Sequence, residues 1–185
     1  MLENTRQNII DAAIFIFNED LSAPLEKVAD KASVTRRTLH RYFSDREDLL
    51  RNCRQEMQKS CGRSMSAAYQ YSDDPLIQLE QLVYAGVDCG VKYAFLHKLH
   101  HLHGHEHIHA DSECARYDET FEGMRKIIRA LHIKGIISKG LTTEWISVFF
   151  PAVVNATVNL HTSGSVALDD LRKFAWYSFS SGIGI

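Results

Sequence analysis

Apolar residues recur along this chain at helical spacing, and strand-type alternation never lasts more than a few positions. Over Thr5–Asn18, the residues Ile9, Ile10, Ala13, Ile14 and Phe17 share one broad face, the stripe of a core-facing helix. Glu19–Pro24 interrupts it. Leu25, Val28, Ala29 and Ala32 then follow at i, i+3, i+4 and i+7, which predicts a second helix over Leu25–Ala32. Ser33–Val34 reads as a turn. Thr35, a good N-cap residue, opens a third helix that sets Leu39 and Phe43 one turn apart. Ser44-Asp45-Arg46-Glu47 has the form of a capping box, so a fourth helix is expected to start there and reach about Tyr69.

Beyond a loop at Ser72–Pro75, Asp74 stands as the N-cap and Pro75 takes the first helical position. Helices are expected over 75–89, 91–103, 112–134, 142–162 and 167–181, with Pro151 kinking the fourth of these. The fold class is therefore all-α, with about nine helices. It divides into an N-terminal three-helix domain at 1–50 and a larger helical domain at 51–185. The final two helices are apolar over more than a narrow stripe, so one face can pack inward while another meets a second copy of the chain. Trp145, Phe149 and Val153 on the first, with Phe174 and Tyr177 on the second, are the candidate interface residues. Burial within one subunit is the competing reading.

Composition narrows the class. A chain of 185 residues that is 45% hydrophobic and 24% charged can bury a sizeable core. No apolar run reaches the ~20 residues of a membrane span, and no signal-peptide core is present, so a cytoplasmic location without membrane association is expected. Cys53, Cys61, Cys89 and Cys114 are widely spaced without a C-x-x-C pattern and read as reduced thiols. The net charge of −2 speaks against a generally basic surface. Its distribution matters more. Arg36, Arg37, Arg41 and Arg46 lie between Thr35 and Arg46 with Asp45 as the one acid, whereas residues 64–185 hold 10 Lys or Arg against 13 Asp or Glu.

Two short helices joined by a tight turn brace each other, and the second can enter the major groove of DNA. Such a pair needs small or apolar residues where the helices cross and polar ones on the groove side. Val28, Ala29, Val34 and Leu39 supply the first set, with Tyr42 or Phe43; Arg36, Arg37, Thr38, His40 and Arg41 supply the second. Arginine pairs bidentately with guanine, at about 1–3 kcal/mol of discrimination per good pair. The bland alternative is a solvated helix face. Because one recognition helix reads few base pairs, a homodimer on a palindromic site follows from the motif.

The string LEKVADKASVTRRTLHRYFSDREDLL, with the preceding helix ending in Phe17, resembles the N-terminal signature of the tetracycline-repressor (TetR) family of transcriptional regulators. The likeness covers about residues 5–51. It implies that Thr35 caps a recognition helix on which Arg36, Arg37 and Thr38 face base edges. By the same likeness, His40 stands where the family has a phosphate-touching tyrosine, Tyr42 is a further phosphate contact, and Arg46 replaces a lysine. Ser33 takes the place of the usual turn glycine. The resemblance further implies a repressor and a ligand-binding and dimerisation domain whose small-molecule effector shifts the separation of paired recognition helices. Tyr84, Cys89, Tyr93, Phe95, His97, Phe121 and Met124 are the candidate pocket residues.

Seven histidines crowd the stretch from His97 to His109. His97 and His101 stand at i, i+4, a spacing that on a helix can place two imidazoles on one divalent ion such as Zn, Ni or Cu. A metal-responsive regulator or a metal-binding enzyme is thus the alternative to a regulator with no cofactor. No paired carboxylates, phosphate loop or activated nucleophile support an enzyme. A helical interaction module without DNA is the third class.

Overall fold

In the computed structural model, residues 2–95, 112–162, 164 and 166–185 are described. Among them lie eight helices and no strand: α1 (Leu2–Glu19), α2 (Leu25–Lys31), α3 (Arg36–Tyr42), α4 (Arg46–Gln70), α5 (Pro75–Lys92), α6 (Ser112–Ile133), α7 (Thr143–Thr162) and α8 (Leu168–Gly182). No helix among the described residues is long and apolar enough to cross a membrane.

The described residues form two compact units, one of residues 2–59 and 92–95, the other of 60–91 with the described part of 112–185. In the first unit the α1 stripe is buried as patterned, Ile9, Ile10, Ala13, Ile14 and Phe17 joining Val28, Ala29, Leu39, Phe43, Leu49 and Leu50. The segment just after α5 belongs to this core. Phe95 packs on Phe17 with ring centroids 5.8 Å apart. The Asn18 amide donates to the Lys92 carbonyl at 2.8 Å, and its oxygen accepts from the Phe95 N–H at 2.9 Å.

In the second unit, α6 packs on α7 and α7 on α8. Val154, Val158, Leu171, Ala175 and Phe179 are buried there with Leu79, Leu82, Val83 and Val87 of α5. Phe179 takes Phe149 in a stacked pair at 5.6 Å and Phe150 edge-on at 5.8 Å. The expected break near residue 90 does not occur. Helix α5 runs through it, and Gly90 is a contact: a Cβ there would lie 2.6 Å from a Val158 methyl. Gly86, one turn earlier, sits against Phe150 and Val154 in the same way. Glycine here lets two helices approach rather than ending one. Helix α6 stops where expected, at Gly135 with φ 68°, a left-handed position suited to glycine.

Candidate nucleic-acid interface

The turn between α2 and α3 is built by backbone bonds. The Ser33 N–H donates to the Asp30 carbonyl and the Val34 N–H to the Ala29 carbonyl, both at 3.0 Å. This geometry puts Ser33 at φ 55°, so the serine occupies the left-handed region that glycine would take more cheaply. Helix α3 then starts under a side-chain cap, Thr35 Oγ1 accepting from the Thr38 N–H at 3.1 Å. Its Leu39 is buried and Phe43 closes the helix as a second buried anchor.

Opposite those anchors, Thr35, Arg36, Arg37, His40 and Arg41 are exposed. Positions 36 and 40, like 37 and 41, are one turn apart and make two adjoining rows on one helix face. Arg36 reaches Glu26 at 2.6 Å with both side chains well exposed, an ion pair of small worth that a phosphate or base could replace. Thr38 is half-buried, its hydroxyl 2.9 Å from that of Thr35, so its oxygen serves the cap as well as any outside partner.

Two sequence-stated contacts need correction. Tyr42 turns its hydroxyl inward: the oxygen is buried, has no hydrogen-bond partner among the described residues, and is not offered to a phosphate. Arg46 is also drawn in. Its guanidinium donates to the Ala23 carbonyl at 2.6 Å and to the Leu21 carbonyl, and lies 4.4 Å over the Phe17 ring. It ties the α1–α2 loop to the start of α4 rather than presenting a free charge. The cap of α4 is displaced by one residue as well. Asp45 Oδ1, not Ser44, accepts from the Asp48 N–H at 2.8 Å, while Asp48 Oδ2 accepts from the Ser44 N–H at 3.1 Å. A carboxylate suits the helix N-terminus better than a hydroxyl, and the Asp48 N–H chiefly holds the Asp45 carboxyl below its ordinary pKa.

The remaining assignments separate by burial. Trp145, Phe174 and Tyr177 are exposed by 58%, 51% and 73%, and Val148 on the same helix as Trp145 by 67%. Val153 is buried, and Phe149 is stacked on Phe179 with its ring where a Gly182 Cβ would go, so these two fill their own subunit. Among the expected pocket residues, Tyr93 and Phe95 are buried and belong to the first unit. Tyr84 donates to Glu80, and its hydroxyl pKa is pushed up to about 12, first by burial and then by that bond. Met124 is buried, and Cys89 is disulfide-bonded to Cys61 rather than free. His97 and His101 lie outside the described residues, as does the side chain of Phe121.

A family model described as bacterial regulatory proteins of the tetR family matches residues 9–53, the span from the α1 stripe through the first turns of α4. The HTH-type transcriptional repressor LfrR of Mycolicibacterium smegmatis is 30% identical over 115 residues, which are 62% of this chain and 58% of the relative's own length. The crystal structure of LfrR from Mycobacterium smegmatis in complex with proflavine superposes with a TM-score of 0.76 at 22% identity, covering 99% of this chain and 98% of that one. The ketosteroid transcriptional regulator KstR2 of Mycobacterium tuberculosis gives a TM-score of 0.78 at 12% identity, over 96% and 94%. At those identities the two solved structures establish the all-helical fold.

Proposed function

We infer that the chain, whose residues 9–53 match the tetR-family model, is a sequence-specific DNA-binding regulator of that kind controlled by a small molecule. The observation that carries this reading is the face of α3 on which Arg36, Arg37, His40 and Arg41 are exposed, on a capped and buried-anchored helix. In a major groove, Arg36 and Arg37 near the helix N-terminus would read base edges, with bidentate contact to guanine the favoured chemistry. Thr35, Thr38, His40 and Arg41 would position the helix on phosphates. Arg46 and Tyr42 support that pose from within.

Two copies would pair through the outward faces of α7 and α8, with Trp145, Val148, Phe174 and Tyr177 at the centre, and place two recognition helices on a palindrome. The work is done where the chromosome is, in the bacterial cytoplasm, and is binding rather than catalysis. An organic effector would act by preferring the conformation with mismatched half-site spacing. The proflavine complex of the relative supports an effector of that kind. A repressor is the sign that LfrR supports.

Selection of duplexes from a random oligonucleotide pool tests the reading. A palindromic consensus is expected, with affinity falling steeply as salt rises. Arg37→Ala should weaken binding to the selected site by roughly tenfold or more while the helical signal stays unchanged. Retention of random sequence only, or indifference to Arg37→Ala and Arg36→Ala together, would overturn it.

A further inference from the structure

Cys61 on α4 and Cys89 on α5 are joined by a disulfide, with Cα atoms 5.8 Å apart. Both belong to the second unit, Cys61 one residue after Ser60 and Cys89 two residues before Val91, the two ends of one segment of that unit. The bond therefore ties together two of the points at which the chain passes between the units. We propose that this pair is a reversible oxidation site, closed by low-molecular-weight disulfides, whose state sets the DNA affinity of the chain; the last clause rests on the regulator reading above.

Three observations support it. First, no side chain of α4 from 54 to 67 is buried, so the disulfide is a covalent tie on a surface-lying stretch of helix. Second, the α5 end of the bond is firmly placed. Asp88 receives Arg172 of α8 through both carboxylate oxygens, at 2.7 and 2.8 Å, and Gly90 is pressed against Val158. Closing the bond thus fastens the middle of α4 to a firmly placed point on α5, and opening it removes that tie. Third, both cysteines are half-buried and within reach of a small thiol. Cys53 differs: it is fully buried, and burial pushes its thiol up to about 12, out of the range of exchange. A protein that reads the chromosome works in a reducing compartment, where a disulfide between exchangeable thiols is a sensor rather than a structural bond.

The chemistry balances with the disulfide RSSR as oxidant. The Cys61 thiolate attacks one sulfur of RSSR, and RS⁻ leaves with its electron pair. The Cys89 thiolate then attacks the Cys61 sulfur, expelling the second RS⁻. Two electrons pass to RSSR, and the two thiol protons end on two RSH.

The test treats the full chain with glutathione disulfide or with a dithiol reductant. It reads the thiol count under denaturing conditions, hydrogen exchange over 54–67, and affinity for the selected duplex. Oxidation should remove two thiols without dimerisation and slow exchange over 54–67. It should also change the affinity by on the order of fivefold or more. In Cys61→Ser, and separately in Cys89→Ser, the exchange and affinity differences should vanish. Four thiols surviving in the parent chain, or identical exchange and affinity in both states, would overturn the proposal. If neither state retains any duplex, the regulator reading fails and the affinity claim with it, while the thiol count and exchange still decide the bond.

Discussion

Replacing Arg46 with alanine separates a structural cation from a DNA-reading one. The substitution removes the bond to the Ala23 carbonyl at 2.6 Å, the bond to the Leu21 carbonyl, and the placement 4.4 Å over Phe17. A hydrogen bond to a charged group contributes about 1.5–3 kcal/mol, and a cation over an aromatic face about 0.5–1 kcal/mol. The side chain is only half-buried, and the freed carbonyls regain water, so a simple sum overstates the loss. A net destabilisation of about 2–3 kcal/mol is expected, which in a chain of this size lowers Tm by roughly 5–10 °C. Thermal and urea unfolding at one fixed protein concentration measures it. Arg46→Lys, which can replace one bond but not the fork, should recover about half. Well below the new Tm, the slope of log affinity against log salt should match the parent. Unchanged stability with a slope shallower by about one would mean that Arg46 contacts a phosphate, and the assignment as a strut would be wrong.

The same substitution should act with opposite sign at two helical glycines. Gly90→Ala forces a Cβ to within 2.6 Å of Val158, overpacking that costs about 1–3 kcal/mol against a propensity gain of about 1 kcal/mol. Gly62→Ala meets nothing within 4 Å among the described residues and should stabilise by roughly 0.5–1 kcal/mol; equal shifts in the urea midpoint would refute the close approach of α5 to α7. Trp145→Asp with Tyr177→Asp should convert a dimer to monomer in sedimentation equilibrium while leaving the helical signal intact; an unchanged mass would remove α7 and α8 as the interface. Asp45→Ala should be less stable than the parent at neutral pH. The Asp45 carboxyl titrates below its ordinary 3.8 in the folded chain, so its contribution is fully present above that value and disappears as pH falls through the lowered one. The two unfolding curves should therefore converge in acid, and a gap independent of pH would contradict the carboxylate cap.

The first unit was legible because its signals are local. A stripe at helical spacing, a threonine cap and an arginine-rich face are read within one or two turns, and Ser33 announced its φ of 55° by standing where a glycine is usual. What failed was direction and distance. A long side chain beside a basic helix looks the same in sequence whether it points outward, as Arg37 does, or folds back over Phe17, as Arg46 does. Gly90 carries the residue type of a helix end, but its meaning is fixed by Val158, far along the chain. The partners of Asn18 stand 74 and 77 residues away, and Cys61 and Cys89 are 28 apart, beyond any motif spacing. On α7, aromatic and aliphatic residues cover both faces. Pattern alone cannot tell the outward Trp145 from the inward Phe149 when both are apolar.

Helix α3 spans seven residues, too few to persist alone, so its orientation is supplied entirely by what it is fastened to. Leu39 and Phe43 fix its buried side, Thr35 its start, the Ser33 turn its angle to α2, and Arg46 the loop behind it. Leu39 and Phe43 are buried and apolar, the Thr35 hydroxyl serves the cap and Arg46 serves backbone carbonyls, so none of these four offers a side chain suited to telling one base pair from another. The exposed positions 36, 37, 40 and 41 do, and none of them is part of the core. On the proposed reading the domain divides its labour by burial: substitutions on the inner set should decide whether a helix is delivered to the groove at all, and those on the outer set which sequence it prefers. Selectivity can change at the outer positions with little effect on folding, because their only described tie to the scaffold is a solvent-exposed ion pair between Arg36 and Glu26 and the contact of Arg41 with the Tyr42 ring.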